Sequence, residues 1–350
     1  MLNKEQLQEI REHLEKARNP VFFFDNDVDG LCGFLLLQRF IGRGKGIPIK
    51  SYPGLEKTYF KRVEELGADY IFVLDKPVID AGFIELVREA NLPLVVIDHH
   101  PSDLKSKFNL EFFYNTYETS KELEPTSYLC YKVGGRQEEQ WISAMGCIAD
   151  CYLPDFLDKF KKENPELLAG KSKTAFDVYY NTELGRIARI LAFGLLDKTS
   201  NVVLMLKFLM KAQSISDLIQ ENASTKSFLS RFEFINEKYQ KLLKKAEEQV
   251  REDKKGKLLF FSYGGDMSIS QELSNELIYK YPKKVVVVIY SNGGKANISI
   301  RGAIDVRNLL SKSIADIEGA TGGGHEHSCG GRISADSISK FRDNLVREMN

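Results

Sequence analysis

A hydrophobic run near the start of the chain ends abruptly in carboxylates. Residues 22–24 are three phenylalanines, and Asp25, Asp27 and Asp29 follow at alternate positions before Gly30. Carboxylates that crowd together repel one another and are costly to remove from water, so the cluster needs a compensating charge. A divalent cation with oxygen ligands supplies that charge. The stretch therefore predicts a strand, an acidic metal-binding turn and a helix.

Two later apolar runs end in the same kinds of side chain. One run precedes Asp75, and the next precedes Asp98, His99 and His100. The carboxyl ends of neighbouring parallel strands open onto one edge of a sheet, and ligands bind there. We therefore expect the three groups of side chains to lie close together.

A structural role is the alternative for these acids. An Asp directly after a strand is commonly the N-cap of the next helix, and this role fits Asp75 taken alone. The three carboxylates at positions 25, 27 and 29 exceed that need, because one cap uses one oxygen. A further acid, Asp150, ends an apolar helical segment rich in small residues. Small residues permit close packing, which would let Asp150 reach the acidic strand ends.

The histidines are clustered as well. The chain has five, and four of them fall in two short motifs, His99 with His100 and His325 with His327. A hydrogen-bonded pair in the core is the alternative for the adjacent histidines, but the clustering favours ligation and catalysis. The fifth, His13, lies in a charged helical segment and is expected on the surface.

Residues 321–331 contain five glycines around His325. Glycine lets a backbone approach a ligand closely, and successive backbone N–H groups can form a nest for an anion. Nearby, residues 280–312 hold seven basic side chains and one acidic side chain. This basic stretch is either a phosphate-facing surface or a scattered, solvated face.

Composition places few limits on the partner. The 49 basic and 49 acidic residues cancel, and 350 residues suffice for about two domains. The five cysteines form no C-x-x-C pair, and Cys147 and Cys151 are spaced either for metal binding or for apolar packing. We find no signal peptide and no apolar run of membrane-spanning length, so a reduced, cytoplasmic protein is expected.

Alternating strand and helix patterns predict an α/β fold with a parallel sheet in the N-terminal domain. Apolar residues recur every three or four positions over residues 228–251, which predicts a long amphipathic helix. A smaller α/β domain follows this helix. We place the domain bounds at residues 1–220, 221–256 and 257–350.

Together, these motifs resemble those of the DHH phosphoesterase superfamily, and more closely those of its RecJ-like archaeal nucleases with a C-terminal DHH-associated domain. The first motif is the acidic run 25–30, the second is Asp75, and the third is the naming triplet 98–100. The fourth is the Ile-Ala-Asp sequence that ends at Asp150. The glycine-rich segment and an upstream Ser-Ile-Arg sequence, which ends at Arg301, resemble motifs of the associated domain. The resemblance covers nearly the whole chain.

The resemblance implies two Mn²⁺ ions, with Mg²⁺ as the alternative, held by six side chains: Asp25, Asp27, Asp29, Asp75, His99 and Asp150. Asp75 would bridge the ions. His100 would contact the phosphate or assist the leaving group, and Asp98 would orient the imidazoles.

The second domain is implied to hold the substrate phosphate and to close a cleft with the first. The implied contacts are Arg301, His325 and three glycines: Gly322, Gly323 and Gly324.

Three functions remain open at this point. The first is a metal-dependent exonuclease on single-stranded DNA or RNA that accompanies a replication or repair helicase. The second is a phosphodiesterase for short oligonucleotides, of the nanoRNase type, or for cyclic dinucleotides. The third is an inactive scaffold that binds a helicase or another replisome component. Six metal-ligand side chains have no physical use in a scaffold, so an enzyme is the expectation.

Overall fold

The computed structural model describes residues 2–50, 54–117, 123–252 and 256–349. The chain divides into two compact units, Met1–Phe232 and Glu233–Asn350. The division falls within a long helix, α13 (Lys226–Glu252). The expected domain bounds at residues 220, 221, 256 and 257 stay a prediction.

A parallel five-stranded sheet forms the centre of the first unit. Its spatial order is β2-β1-β3-β4-β5, and each neighbouring pair is parallel. The strands are β1 (Pro20–Asp25), β2 (Lys45–Ile49), β3 (Tyr70–Leu74), β4 (Leu94–Asp98) and β5 (Phe112–Asn115). This arrangement confirms the fold class predicted for the N-terminal part.

Helices connect and follow these strands. The described helices of the first unit are α1 (Lys4–Lys16), α2 (Val28–Ile41), α3 (Phe60–Leu66), α4 (Ala81–Glu89), α5 (Leu104–Phe108), α6 (Thr126–Gly134), α7 (Gln140–Ala149), α8 (Leu157–Glu163), α9 (Ala175–Asn181), α10 (Glu183–Leu195), α11 (Thr199–Leu209) and α12 (Ser216–Ile219), with the first seven residues of α13. Short 3₁₀ turns cover Lys57–Tyr59 and Gln137–Glu139.

The phenylalanine run of β1 is buried because the sheet is covered on both faces. Phe23 packs with Phe83 of α4 on one face, whereas Phe22 and Phe24 pack with Phe34 of α2 on the other. All three phenylalanines of β1 have no exposed surface. A parallel strand covered on both faces has to be apolar throughout, which explains the unbroken run.

The arginine at the end of α2 fixes distant helices. Arg39 Nε lies 2.7 Å from Glu139 Oε1, and both side chains are largely buried. Its Nη1 also donates to carbonyl oxygens at the end of α11 and beyond, those of Leu209, Met210 and Ala212. These bonds satisfy carbonyl groups that a helix end leaves unpaired.

His13 does not lie on the surface as expected. It is 8% exposed, its Nδ1 lies 3.0 Å from the Tyr70 hydroxyl, and its ring lies 4.1 Å from that of Phe112. The charged residues of α1 lie on its other faces, whereas this position faces the sheet. Sequence composition alone did not reveal which face was covered.

The second unit contains a mixed sheet in the order β6-β7-β8-β10-β9, in which β6 and β7 are parallel and the other neighbours are antiparallel. Its strands are β6 (Leu258–Gly264), β7 (Val285–Asn292), β8 (Lys295–Arg301), β9 (Thr321–His325) and β10 (Ser328–Ser334). Its helices are the rest of α13, α14 (Ser270–Lys280), α15 (Val306–Ile314) and α16 (Ile338–Met349), with a 3₁₀ turn at Ala335–Ser337.

This unit confirms the smaller α/β domain. Strands β7 and β8 form a hairpin, and Gly293 and Gly294 both have positive φ in its two-residue turn. The face of the sheet that carries Val287 and Ile300 packs against Leu310 of α15 and Phe341 of α16.

None of the helices in the described ranges is both long and apolar enough to cross a membrane. The five cysteines are reduced thiols, and Cys151 is exposed whereas Cys147 is buried. Within the same ranges, the side-chain groups with metal-binding spacing contain no cysteine. The metal-binding option for this pair therefore gains no support.

The buried pair generates the first prediction. Arg39→Met should lower the stability of the first unit by about 3–5 kcal/mol. Within the described residues, the buried Glu139 keeps only Arg136, 3.5 Å away, as a counter-charge, and three carbonyl oxygens lose their Arg39 donor. Urea unfolding followed by circular dichroism measures this loss. Arg62 is the matched control, since its side chain is 60% exposed beside Glu65. Arg62→Met should change stability by about 0.5 kcal/mol or less, and an equal loss in both variants would contradict the prediction.

Candidate metal centre

The end of β1 and the start of α2 supply the first carboxylates. Asp25 is the last residue of β1, and Asp27 is the N-cap of α2, with its Oδ1 accepting from Gly30 N at 2.9 Å. A Cβ on residue 30 would lie 2.5 Å from the Asp25 carbonyl oxygen, so only glycine lets the helix start this close to the strand. Asp25, Asp27 and Asp75 offer ligand oxygens that all lie within 4.8 Å of one another.

Asp75 lies at the centre of the cluster and has an unusual backbone conformation. Its φ is 59°, in the left-handed region, directly after β3. Its side chain is 1% exposed, and its Oδ1 accepts from Thr126 Oγ1 at 3.3 Å. Left-handed conformations in residues other than glycine cost roughly 1–3 kcal/mol and concentrate at functional sites. The fold accepts this cost in order to direct the carboxylate toward its neighbours.

His99 is buried without a hydrogen-bond partner. It is 4% exposed, and within the described residues neither ring nitrogen makes a hydrogen bond of acceptable geometry. Its Nε2 nevertheless lies 3.3 Å from Asp75 Oδ1 and 3.5 Å from Asp150 Oδ2. Buried polar atoms are rarely left unsatisfied in folded proteins. An imidazole in this position is suited to ligate a cation that it shares with the two carboxylates.

Asp29 both caps a helix and joins the cluster. Its Oδ2 accepts from Thr126 N at 2.8 Å, and its Oδ1 accepts from Ser127 N at 3.0 Å and from the Ser127 hydroxyl. These donors lie at the start of α6, where backbone N–H groups have no partner within the helix. Asp29 also falls in a ligand group with His99 and Asp150 whose atoms lie within 4.8 Å of one another.

The second histidine of the triplet has a carboxylate partner. His100 Nδ1 lies 2.9 Å from Asp98 Oδ1, and Asn115 Nδ2 donates to the other oxygen of Asp98 at 3.3 Å and to the His100 carbonyl at 2.9 Å. Asp98 and Asn115 are paired residues of β4 and β5. The sheet register therefore holds Asp98 in position, and Asp98 orients the imidazole.

A lysine lies among the acids. Lys76 is 3% exposed, and its Nζ lies 3.1 Å from Asp25 Oδ1 and 3.2 Å from the carbonyl oxygen of Lys50. Sequence analysis missed this residue, as it missed Ser127 and Asn115. The only signal for Lys76 was its place next to Asp75.

The crowding of acids raises most of their pKa values. Burial, and then the charges of Asp75 and Asp25, raise the pKa of Asp27 well above its usual value. Burial, and then the charges of Asp75 and Asp150, raise the pKa of Asp29 to about 8. Burial also raises the pKa of Asp150 to about 6, although His99 acts in the opposite direction.

The pKa values of the two imidazoles are raised, and the pKa of Asp75 is lowered. Burial alone would lower the pKa of His99, but contact with Asp75 and the charge of Asp150 raise it to about 9. For His100, burial is outweighed by the Asp98 hydrogen bond and the Asp75 charge, which raise the pKa to about 10. Burial alone would raise the pKa of Asp75, but His99 and His100 lower it to about 2.

These residues fit divalent cations. Two ligand atoms that share an ion at about 2.1 Å lie roughly 3–3.5 Å apart, which matches the distances from His99 Nε2 to Asp75 and Asp150. Carboxylates together with imidazole suit Mn²⁺ better than an all-oxygen site would. We use the name ligand cluster for six residues that belong to the groups with metal-binding spacing and that the sequence analysis named as ligands: Asp25, Asp27, Asp29, Asp75, His99 and Asp150.

Arg301, in the second unit, is engaged within that unit. Its side chain is at the end of β8, and the residue is 9% exposed. Its Nε donates to Asn275 Oδ1 at 2.7 Å, and its Nη1 donates to the carbonyls of Ile300 and Cys329 at 2.9 and 3.2 Å. These bonds connect α14, β8 and β10. A phosphate contact from Arg301 therefore stays a prediction beside this structural role.

The basic stretch is partly neutralised in the same way. Lys280 lies 2.8 Å from Glu247 and 3.0 Å from Glu276, and Lys284 is 8% exposed and donates to the Gly256 carbonyl. These two lysines therefore belong to the structure of the second unit rather than to a uniform phosphate-facing surface.

The glycine-rich segment differs from the expected anion nest. Gly322, Gly323 and Gly324 lie in β9, an edge strand paired with β10, so their backbone is extended. Gly324 has a φ of 136°, and a Cβ there would lie 2.6 Å from the Ser328 carbonyl oxygen. His325 ends this strand, and its side chain lies outside what the structure describes. The exposed glycines form a bare strand edge to which an extended ligand could bind.

Comparison with known proteins supports this architecture. Residues 253–350 match the family model of the DHHA1 domain. No curated protein matches the sequence significantly. The structure of RecJ with Mn²⁺ from Thermus thermophilus is similar over 98% of this chain and 54% of that chain, with a TM-score of 0.67 and 16% identity. The chain thus spans about half the length of that RecJ.

Two further solved structures have this fold. A pGpG-specific phosphodiesterase, PggH from Vibrio cholerae, is similar over 95% of this chain and 99% of its own, with a TM-score of 0.50 and 14% identity. CDC45 from Entamoeba histolytica is similar over 99% of both chains, with a TM-score of 0.51 and 10% identity. The structural similarity establishes a shared fold, whereas sequence identities this low leave the activity open.

The pKa shifts predict how the metal-free protein responds to pH. Asp29, with a folded pKa of about 8 against 3.8 for the free group, binds a proton that the unfolded chain releases. Its contribution to stability is therefore lost as the pH rises from about 4 to about 8. The pKa of His99 is raised to about 9. This residue therefore stabilises the folded state below about pH 6.5, and its contribution is lost as the pH rises further.

Melting temperatures measured with a chelator should therefore fall between about pH 5 and pH 8. Added Mg²⁺ or Mn²⁺ should raise them most at the higher pH, where the ligands are deprotonated. Asp29→Asn should flatten the metal-free decline, whereas Asp80→Asn, at an exposed position, should leave it unchanged. A melting temperature that rises over this interval without metal would contradict the prediction.

Proposed function

Because the chain has the fold of RecJ-like DHH phosphoesterases and ends in a DHHA1 domain, we propose that it is a metal-dependent exonuclease. Its substrate is single-stranded DNA or RNA, and it hydrolyses phosphodiester bonds. The observation that carries the proposal is the buried His99, whose Nε2 makes no hydrogen bond of acceptable geometry within the described residues but lies 3.3 Å from Asp75 and 3.5 Å from Asp150. A fold that served only as a scaffold would have no need for such a costly arrangement.

Two of the three groups with metal-binding spacing share Asp75. One joins Asp75 to Asp25 and Asp27, and another joins it to His99 and His100. The third group joins His99 to Asp29 and Asp150. Asp75 would therefore bridge the two ions, and Asp29 and Asp150 would complete the ligands of the second position. Two divalent ions, which we assign as Mn²⁺ with Mg²⁺ as the alternative, would activate a water and stabilise the entering and leaving oxygens.

His100 is the residue that we assign to the reacting phosphate. Its Nδ1 lies 2.9 Å from Asp98 Oδ1, and in the metal-free protein this contact and the charge of Asp75 outweigh burial and raise the pKa of His100 to about 10. A protonated imidazole can donate a hydrogen bond to a phosphoryl oxygen and a proton to the departing oxygen. Nε2 is the nitrogen assigned to this contact. Asp98 fixes the orientation of the ring, and Asn115 in turn holds Asp98.

The second unit contributes substrate binding in this proposal. The exposed edge of β9 offers the backbone of Gly322, Gly323 and Gly324 to the sugar–phosphate chain, and His325 and Arg301 are further proposed contacts. Backbone N–H groups bind phosphate without reading the base, which suits an enzyme that accepts many sequences. A replication or repair helicase is the proposed protein partner.

A phosphodiesterase for short oligonucleotides or cyclic dinucleotides is the second candidate. It is favoured by the fold that this chain shares with a pGpG-specific phosphodiesterase of nearly the same extent. The inactive scaffold is the third candidate, because CDC45 has this fold too. The ligand cluster favours an enzyme over the scaffold.

The length of the accepted substrate separates these candidates. Strands of about 2 to 20 nucleotides, labelled at one end, should be incubated with Mn²⁺ as DNA and as RNA. We expect a ladder of products from the long strands, and the labelled end gives the polarity. Cleavage confined to the shortest strands would replace the exonuclease with the second candidate. Absence of cleavage with every divalent ion, together with absence of bound metal, would favour the scaffold.

The bridging role of Asp75 has its own test. Asp75→Asn should reduce turnover by at least about 100-fold, because the amide removes a charged ligand shared by both ions. Asp80→Asn changes an exposed Asp five residues away and should retain full activity. Circular dichroism should confirm that both variants fold. Full turnover in Asp75→Asn would contradict the assignment.

A further inference from the structure

The side chain of Lys76 places an ammonium group among the acidic residues of the candidate centre. Its Nζ lies 3.1 Å from Asp25 Oδ1, and the residue is 3% exposed. A second bond, to the Lys50 carbonyl at 3.2 Å, holds the ammonium on the protein side. A lysine fixed in this way by burial and two partners acts on its neighbours in the cluster.

The two ion positions differ because of this lysine. Asp25 belongs to the ligand group with Asp27 and Asp75. In the other group, Asp29 and Asp150 have no lysine or arginine ion pair within the described ranges, and their nearest cationic partner is His99. One position therefore already contains part of its compensating charge, whereas the other depends on an added cation.

An ammonium group that contacts a metal-binding carboxylate disfavours the binding of a divalent cation to the same carboxylate. It competes for the same carboxylate oxygen, and it repels a doubly charged ion through a weakly screened interior. Five carboxylates belong to the ligand cluster, so two divalent ions and one ammonium together balance their charge. The lysine thus leaves room for both ions but makes their affinities unequal.

We propose that Lys76 is a built-in cation that makes the Asp25, Asp27 and Asp75 position the weaker of two divalent-ion sites. The position with Asp29, His99 and Asp150 fills first. The weaker position fills at higher ion concentration or when a substrate phosphate adds negative charge. Lys76 is thus a positioning residue that sets the order of ion loading. This inference rests on the proposed two-ion function.

Mn²⁺ binding to the full chain tests the inference without any measurement of turnover. Electron paramagnetic resonance distinguishes free from bound Mn²⁺, so a titration gives both the number of sites and their affinities. For the wild type we expect one tight and one weak site. Lys76→Met keeps the length of the side chain but removes its charge, and it should tighten the weak site at least about tenfold while leaving the tight site unchanged.

Two further variants control for charge and for general effects. Lys76→Arg retains the positive charge and should keep the sites unequal. Lys61→Met removes a lysine whose side chain is 77% exposed and should leave both affinities unchanged. Melting curves with and without Mn²⁺ provide a second readout. The stabilisation by saturating Mn²⁺ should be larger in Lys76→Met than in the wild type, because the ion replaces a missing counter-charge.

The outcomes separate this inference from the proposed function. If the wild type binds no Mn²⁺, the proposed function fails. If it binds two ions but Lys76→Met leaves the weak site unchanged or weakens it, the inference alone is wrong, and Lys76 instead orients Asp25 for the ion. If Lys76→Met fails to fold, the Lys76→Arg titration decides. Equal affinities in that variant would overturn the inference, because its positive charge is intact.

Discussion

Mutual repulsion among five closely spaced carboxylates is the constraint on which the rest of this structure depends. The carboxylates lie at the end of β1, directly after β3, at the start of α2 and directly after α7, so the sheet and its connections bring them together. Hydrophobic packing supplies the free energy that makes this possible, since β1 is covered on both faces by aromatic side chains. The fold thus concentrates negative charge that it cannot itself fully neutralise.

Several local devices reduce the cost of that concentration. The start of α6 presents two backbone N–H groups and a hydroxyl to Asp29, and helix N-termini favour negative charge. Lys76 neutralises part of the charge at Asp25, and the imidazoles do the same at Asp75. Partial compensation of this kind keeps the ligands in place and preserves their affinity for a cation.

The main feature of the second unit is an exposed strand edge rather than a cluster of charges. Its glycine hairpin leaves an edge strand almost without side chains, and an unpaired strand edge presents backbone donors and acceptors to whatever approaches. Arg301 connects α14, β8 and β10, and β10 is the strand that pairs with this edge. The roles that we propose for the two units follow from these properties. The first unit would bind the metal ions, and the second would bind the substrate through backbone groups of β9.

The sequence by itself determined the parallel sheet, the smaller α/β domain and the identity of the acidic and imidazole side chains. These features are local, because apolar runs that end in acids and glycines that end strands are visible in one stretch of chain. Only the tertiary structure decided what depends on distant pairing: that Lys76 meets Asp25, that α6 binds Asp29, and that His13 is buried. It also placed the glycine segment in an edge strand, since only the register with β10 distinguishes an extended strand from a nest.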